Sequence, residues 1–181
     1  MILVLGLGNP GARYERTRHN AGFMVLDEFQ KQHAFPEFQE SAKHKVKVSE
    51  GMVGEEKVIL AKPTTFMNSS GKAVASLTKL SFPQLNLVKE LVVVHDEIDL
   101  PIGEVKVSKD SGSAGHKGVD SVIQSLGTKD FHRVRIGIQP TTGKPENVES
   151  FVLKPFAKEE QDALKESIVD AVSSVESFIG Q

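Results

Sequence analysis

Apolar residues recur along this chain with two spacings. Short apolar runs or alternations read as strands over residues 2–7, 45–48, 57–61, 91–95, 105–107 and 133–138. Gly51 and Gly54 make the second and third of these a hairpin-like pair, and Pro101 and Gly103 turn the chain before the fifth. Spacings near 3.6 read as helices. Phe23, Leu26 and Phe29 share one face of a helix from about residue 20, with Asp27, Glu28, Gln30 and Lys31 on its other faces. Ala73, Val74, Leu77 and Leu80 mark a second helix, capped by Ser69 or Ser70. Val119, Val122, Ile123 and Leu126 mark a third, and Leu164, Ile168, Val172, Val175 and Ile179 a fourth from about residue 158.

Strands and helices thus alternate, without internal repeat or linker. This predicts an α/β fold: a single domain over residues 1–181, with a twisted, mixed, mostly parallel sheet flanked by helices on both faces. Ligands of open sheets bind in the crevice beyond the carboxyl ends of the strands. The segments that follow the apolar runs, residues 8–20, 64–70, 96–101 and 112–118, are therefore where chemistry is expected.

Composition narrows the class. Hydrophobic residues make up 39% and charged residues 25% of the 181, enough apolar content to fold and too much for disorder. There is no cysteine, which removes disulfides, zinc–thiolate sites and a thiol nucleophile and fits a reducing cytoplasm. The opening MILVLGLGNPG lacks a basic leader and meets a glycine turn at once, so it reads as a first strand and not as a signal peptide. No apolar run approaches the roughly 18 residues of a membrane span, so no membrane partner is expected. A net charge of −2 argues against a general nucleic-acid coat but leaves room for a local basic face. A single Tyr and no Trp argue against a broad base-stacking platform.

Among the candidate loops, Gly6–Gly11 matches G-x-G-x-x-G, but Pro10 and the polar ARYERTRH follow where a dinucleotide site needs a helix to start. No P-loop and no G-x-S-x-G elbow occurs. His19 lies beside a helix start on the ligand side of the sheet. Asp96 ends an apolar strand and is suited to pair with a histidine from another loop, fixing its tautomer. The bland alternatives are a solvated loop histidine and a turn-forming carboxylate. A metal site from His95, Asp96, Glu97 and Asp99 is disfavoured, because alternate residues of a strand face opposite ways. Asn9 and Asn68 follow strands, where their amides can serve turns or grip a peptide or a water. Phe66 and Met67 suit either a core plug or an apolar subsite, and His116 and Lys117 lie in a Gly/Ser loop that opens a helix.

Five collinear segments, GLGNPGARYERTRHNAG, KPTTFMNSSGKAV, HDEIDLPIG, SAGHKG and HRVRIGI, together resemble the bacterial-type peptidyl-tRNA hydrolase family. The resemblance covers residues 3 to about 155. It implies a monomeric esterase that needs no metal, nucleotide or other cofactor and cleaves peptide from tRNA. Position by position, it implies His19 as base, Asp96 as its orienting partner and Asn9 as a third catalytic group. Tyr14, Asn20, Phe66, Met67, Asn68, His116 and Lys117 match the substrate cleft and its neighbours, and Lys106, Arg133 and Lys144 are implied tRNA contacts. One departure stands out: the glycine-rich loop of the family usually reads GHNG, and here Lys117 replaces the asparagine, keeping a donor, adding a charge and losing an acceptor. Two other function classes are an RNA-binding relative that has lost turnover and a nucleotide-dependent enzyme built on GLGNPG.

Overall fold

The computed structural model describes residues 1–80 and 86–180. Its strands are β1 (Ile2–Gly6), β2 (Gln39–Ser41), β3 (Val46–Val53), β4 (Glu56–Pro63), β5 (Leu91–Pro101), β6 (Val105–Lys109) and β7 (His132–Gln139). They form one sheet in the order β2-β3-β4-β1-β5-β7-β6. The centre, β4-β1-β5-β7, is parallel, and antiparallel pairs close both margins. Helices α1 (Ala21–Gln32), α2 (Ser70–Leu80), α3 (Leu87–Glu90), α4 (Lys117–Leu126), α5 (Val148–Val152) and α6 (Gln161–Ile179) complete the chain.

The period of two along the central strands sorts side chains between two cores. Ile2, Val4, Val92 and Val94 face the layer of α1 and α6, where Val25, Leu26, Phe29, Val172 and Val175 cover them. Leu3, Leu5, Leu91 and Val93 face the layer of α2 and α4, against Val74, Leu77, Val119 and Val122. A strand buried on both faces must be apolar throughout, which is why β1 reads as an unbroken hydrophobic run. The side chain of Leu80, expected on the buried face of α2, lies outside the described residues.

The structure departs from expectation at β5, β2 and α5, and agrees with it at the Gly6–Gly11 turn. β5 runs on through HDEIDLP to Pro101, because its pairing with β7 resumes after an irregularity between Glu97 and Pro101. The short β2 and α5 carry too few residues for a periodicity to show. The Gly6–Gly11 turn opens no α-helix: Gly11, with φ of 103°, leads into one 3-10 turn over Ala12–Tyr14, and α1 starts only at Ala21.

Candidate active site

β1 stops at Gly6, opposite Val94 of β5, and the amide of Leu7 makes one last bond to the Val94 carbonyl at 2.9 Å. β5 continues alongside β7, with Asp96 opposite Ile136. Asp96 therefore lies just past the end of β1, at the floor of a crevice on the carboxyl side of the parallel strands. α1 comes very close to the same point. A Cβ on Gly22 would stand 2.3 Å from the Val94 carbonyl oxygen and 2.6 Å from the Leu7 nitrogen, so only glycine allows this approach. The turn Arg18–Asn20 that feeds α1 is thereby set beside Asp96, and it carries His19.

His19 Nδ1 lies 2.9 and 3.0 Å from the two Asp96 oxygens. His116 Nε2 lies 2.8 Å from Asp96 Oδ1, so one carboxylate serves two imidazoles. The tautomer of His116 follows from its other nitrogen: Nδ1 accepts from the amides of Gly118 and Val119 at 3.1 and 3.2 Å, capping α4, and the ring proton must sit on Nε2. Burial alone would raise the Asp96 carboxyl. The flanking His19 and His116, by charge and by hydrogen bonding, more than reverse that and hold it well below the ordinary carboxylate range. Burial pushes His19 down and the charge on Lys117 adds to that, but attraction and hydrogen bonding from Asp96 prevail, and its pKa rises above the usual 6.5.

With Nδ1–H directed at Asp96, His19 keeps a lone pair on Nε2 for the cleft. His19, Asp96 and His116 also bring nitrogen and oxygen atoms together at distances that suit a cation. A metal there would need the lone pair of His116 Nε2 and would force the ring proton onto Nδ1, where two amide donors already point. The hydrogen bonds of the cluster thus suit proton transfer better than cation binding. His95 turns the other way: it is wholly buried and donates from Nδ1 to the Asp96 carbonyl at 2.7 Å.

The cleft has a volume of about 540 Å³. His19, Asp96, Asn9, Tyr14, Phe66, Met67, Asn68, His116, Lys117 and Lys144 all line it. Asn9 is held in one orientation: its Oδ1 accepts from the Met67 amide at 2.9 Å, which leaves Nδ2 as the free donor end. Asn20 does not line the cleft. It is buried and braces Asn9, accepting from its amide at 2.8 Å and donating to its carbonyl at 3.0 Å. Phe66 is 57% exposed at the rim and meets Tyr14 edge to face.

The basic residues divide. Lys106 is exposed on β6 beside Glu104, and Lys144 is paired with Asp99 at 2.7 Å. Arg133 is only 2% exposed and bonds Ser111 from beneath the glycine-rich loop, so the expectation of a surface tRNA contact is corrected. The alternation of β7 makes both Arg133 and Arg135 look exposed in sequence. In the fold Arg135 is the one that reaches the surface in part, paired with the buried Glu97 at 3.1 Å.

One wall of the cleft has no counterpart in the sequence reading. Val148, Glu149, Val152 and Leu153 come from α5 and its end. The available signal was Asn147 ahead of an apolar pair, and Asn147 does cap α5 by accepting from the Ser150 amide at 2.9 Å. Arg18 fastens this wall. It donates to the carbonyls of Lys154 and Pro155, pairs with Glu160 at 2.6 Å and lies over the Phe151 ring at 4.1 Å.

A carboxylate-backed histidine facing an open cleft at the strand ends of an α/β sheet defines a hydrolase-type site. Comparison with known proteins narrows the class. The peptidyl-tRNA hydrolase family profile matches residues 3–181. A peptidyl-tRNA hydrolase of Thermodesulfovibrio yellowstonii is 42% identical, covering 100% of this chain and 94% of that protein. One from Aquifex aeolicus is 45% identical over 94% of this chain and 85% of its own length. The crystal structure of peptidyl-tRNA hydrolase from Acinetobacter baumannii superposes with a TM-score of 0.89 at 31% identity, covering 99% of this chain and 89% of that one. The chain belongs to the peptidyl-tRNA hydrolase family.

Proposed function

We propose that this chain is an enzyme that hydrolyses the ester between a peptide and the 3′ end of its tRNA, releasing free tRNA, and that His19 is its general base. Family membership supports the reaction. The single observation that carries the residue assignment is the contact of His19 Nδ1 with both oxygens of the buried Asp96, which directs Nε2 to the cleft.

The steps follow from that tautomer. His19 Nε2 takes a proton from a water as the water oxygen attacks the ester carbonyl carbon. The carbonyl electron pair moves onto oxygen. Asp96 balances the imidazolium that forms. The Nδ2 end of Asn9 donates to the water or to the oxyanion. When the tetrahedral intermediate collapses, the ribose oxygen leaves and recovers the proton from His19. The buried carboxylate keeps the imidazole oriented through both steps.

Asn68, Phe66, Met67 and Tyr14 form the surface for the peptide and the terminal nucleotide, and Lys106 and Lys144 are placed to meet tRNA phosphates. The chain acts as one domain and one copy. A cleft that reads peptide amides spares aminoacyl-tRNA, whose free charged amine would leave those partners unmatched.

The test is a paired assay on N-acetyl-aminoacyl-tRNA and unblocked aminoacyl-tRNA. Wild type should cleave the first and spare the second. His19→Ala should lose on the order of 10²- to 10⁴-fold in kcat, the worth of a positioned base. Comparable cleavage of both substrates would contradict the specificity, and a fully active His19→Ala would contradict the base.

A further inference from the structure

Lys117 stands in the cleft with no part in the steps above. It is the first residue of α4 and follows His116, so its side chain starts one residue from a ring that contacts Asp96. Its ammonium crosses the cleft to Glu149 on α5, with Nζ 2.7 Å from Oε1. The two side chains are 60% and 75% exposed, so the pair stands in solvent and is weak. Lys144, a second lysine of the cleft, is likewise paired with Asp99 at 2.7 Å in a half-exposed pair. The charge of Lys117 also reaches the base, pressing the pKa of His19 downward.

We propose that Lys117 is a further catalytic residue: when substrate enters, its ammonium leaves Glu149 and donates to the ester carbonyl oxygen, stabilising the oxyanion that water attack creates. Glu149 is its resting partner between turnovers. This rests on the ester-hydrolysis reading and adds a charged donor to the neutral amide of Asn9. The physical basis is differential. A carbonyl gives an ammonium little more than water does, whereas an oxyanion in a cleft gives a strong charge-assisted bond, so the gain falls on the transition state. The exchange costs little because the bond given up is a solvated one. No proton or electron pair moves through Lys117; the proton still travels from water to His19 to the leaving oxygen.

The experiment is steady-state kinetics on N-acetyl-aminoacyl-tRNA with Lys117→Met, Lys117→Arg, Glu149→Gln, the double variant Lys117→Met/Glu149→Gln, and His19→Ala as reference. A donor in a fully enclosed oxyanion hole is worth about 10² to 10³ in kcat, and this exposed one should be worth about tenfold, with KM changed by less than about threefold. Lys117→Arg should keep most of the rate. The acid limb of kcat/KM should move to higher pH in Lys117→Met, because the charge that presses the His19 pKa downward is gone, and the loss in kcat with KM nearly unchanged is what separates a donor to the oxyanion from a structural lysine. Glu149→Gln should raise kcat/KM by up to about fivefold by freeing the ammonium from a weak surface pair, and the double variant should not show that gain. The proposal is overturned if Lys117→Met keeps kcat within about twofold, or if Glu149→Gln loses as much as Lys117→Met does, for then the pair is only a strap across the cleft. An inactive His19→Ala beside an indifferent Lys117→Met would strike Lys117 alone, and an active His19→Ala would strike the hydrolytic reading beneath it.

Discussion

Asp96 accepts from two imidazoles whose other nitrogens do different work, His116 capping α4 and His19 facing the cleft. One consequence is a pH dependence with a definite sign. The proposed role of His19 as base requires the neutral ring, and Asp96 raises its pKa above the usual 6.5. The kcat/KM profile should therefore rise through a single ionisation above about pH 6.5. Asp96→Asn removes the attraction and leaves burial and Lys117, both of which press downward. In that variant the limb should drop below about pH 6.5 while kcat falls on the order of 10²-fold or more as orientation is lost. A limb that stays in place would separate Asp96 from the titration. The pairing of His19 with Asp96 could be read as an option in sequence, since both follow predicted elements on the ligand side. The second imidazole could not, because His116 reaches Asp96 only through the turn of the glycine-rich loop, and no periodicity reports a turn's direction. Arg133 misled for a related reason: alternation along β7 gives the face of a side chain but not what loop covers it.

At the scale of elements, α5 and the segment after it form a wall held from outside by one side chain. Arg18 bonds two carbonyls, pairs with Glu160 and stacks on Phe151, with 6% of its side chain exposed and 11% of that of Glu160. Removing one partner of a buried pair leaves the other uncompensated and costs about 3 to 5 kcal/mol. Arg18→Gln should show a loss of that size in urea unfolding, and KM should rise as the wall loosens; an unchanged midpoint would mean that the wall is held by its apolar contacts alone. Arg18 falls in the polar run ARYERTRH, where nothing in the sequence separates it from a solvated loop residue. The fold spends Arg18 as an internal fastener because residues 154–160 return over the start of α1. That return is a long-range contact, and local pattern holds no trace of it. The packing of α2 on α4 is similar. A Cβ on Gly71 would stand 1.9 Å from the Ser121 carbonyl oxygen, a closeness that marks the two helices as neighbours but that a glycine in a loop-to-helix stretch does not announce.

For the whole molecule, the alternation of strands and helices was enough to give an α/β sheet covered on both faces, since central strands buried on two sides must be apolar. Strand order was not legible, because β1 pairs with β4 and β5 through contacts far apart in the chain. Stability should depend on pH through His95. Burial, with the neighbouring His116 adding to it, holds its pKa well below 6.5, against the opposing pull of Asp96. Below about pH 6.5 the unfolded chain takes up a proton that folded His95 refuses, so stability drains away as pH falls, by up to about 1.4 kcal/mol per pH unit for one proton. His19 acts in the opposite sense, its raised pKa adding stability below about pH 6.5 that is lost as pH climbs through the folded value. His95→Asn keeps a donor for the Asp96 carbonyl and removes the titration. Its urea midpoint should vary less than that of wild type between pH 7 and 5; parallel curves would show that His95 does not titrate in that range.

Asn9 presents Nδ2 to the cleft because Met67 has claimed its oxygen, and that polarity exists only while the side chain remains an amide. Asparagine ages by ring closure, when the nitrogen of the next residue attacks the side-chain carbonyl, and the aspartate that results would offer only acceptors there. The next residue here is Pro10, whose nitrogen carries no hydrogen and is already bound into its own ring. The amide that Asn9 turns to the cleft is thus followed by the one residue that cannot start its decay, and Asn9 is protected against this ageing at the position where a single lost amide would reverse the polarity.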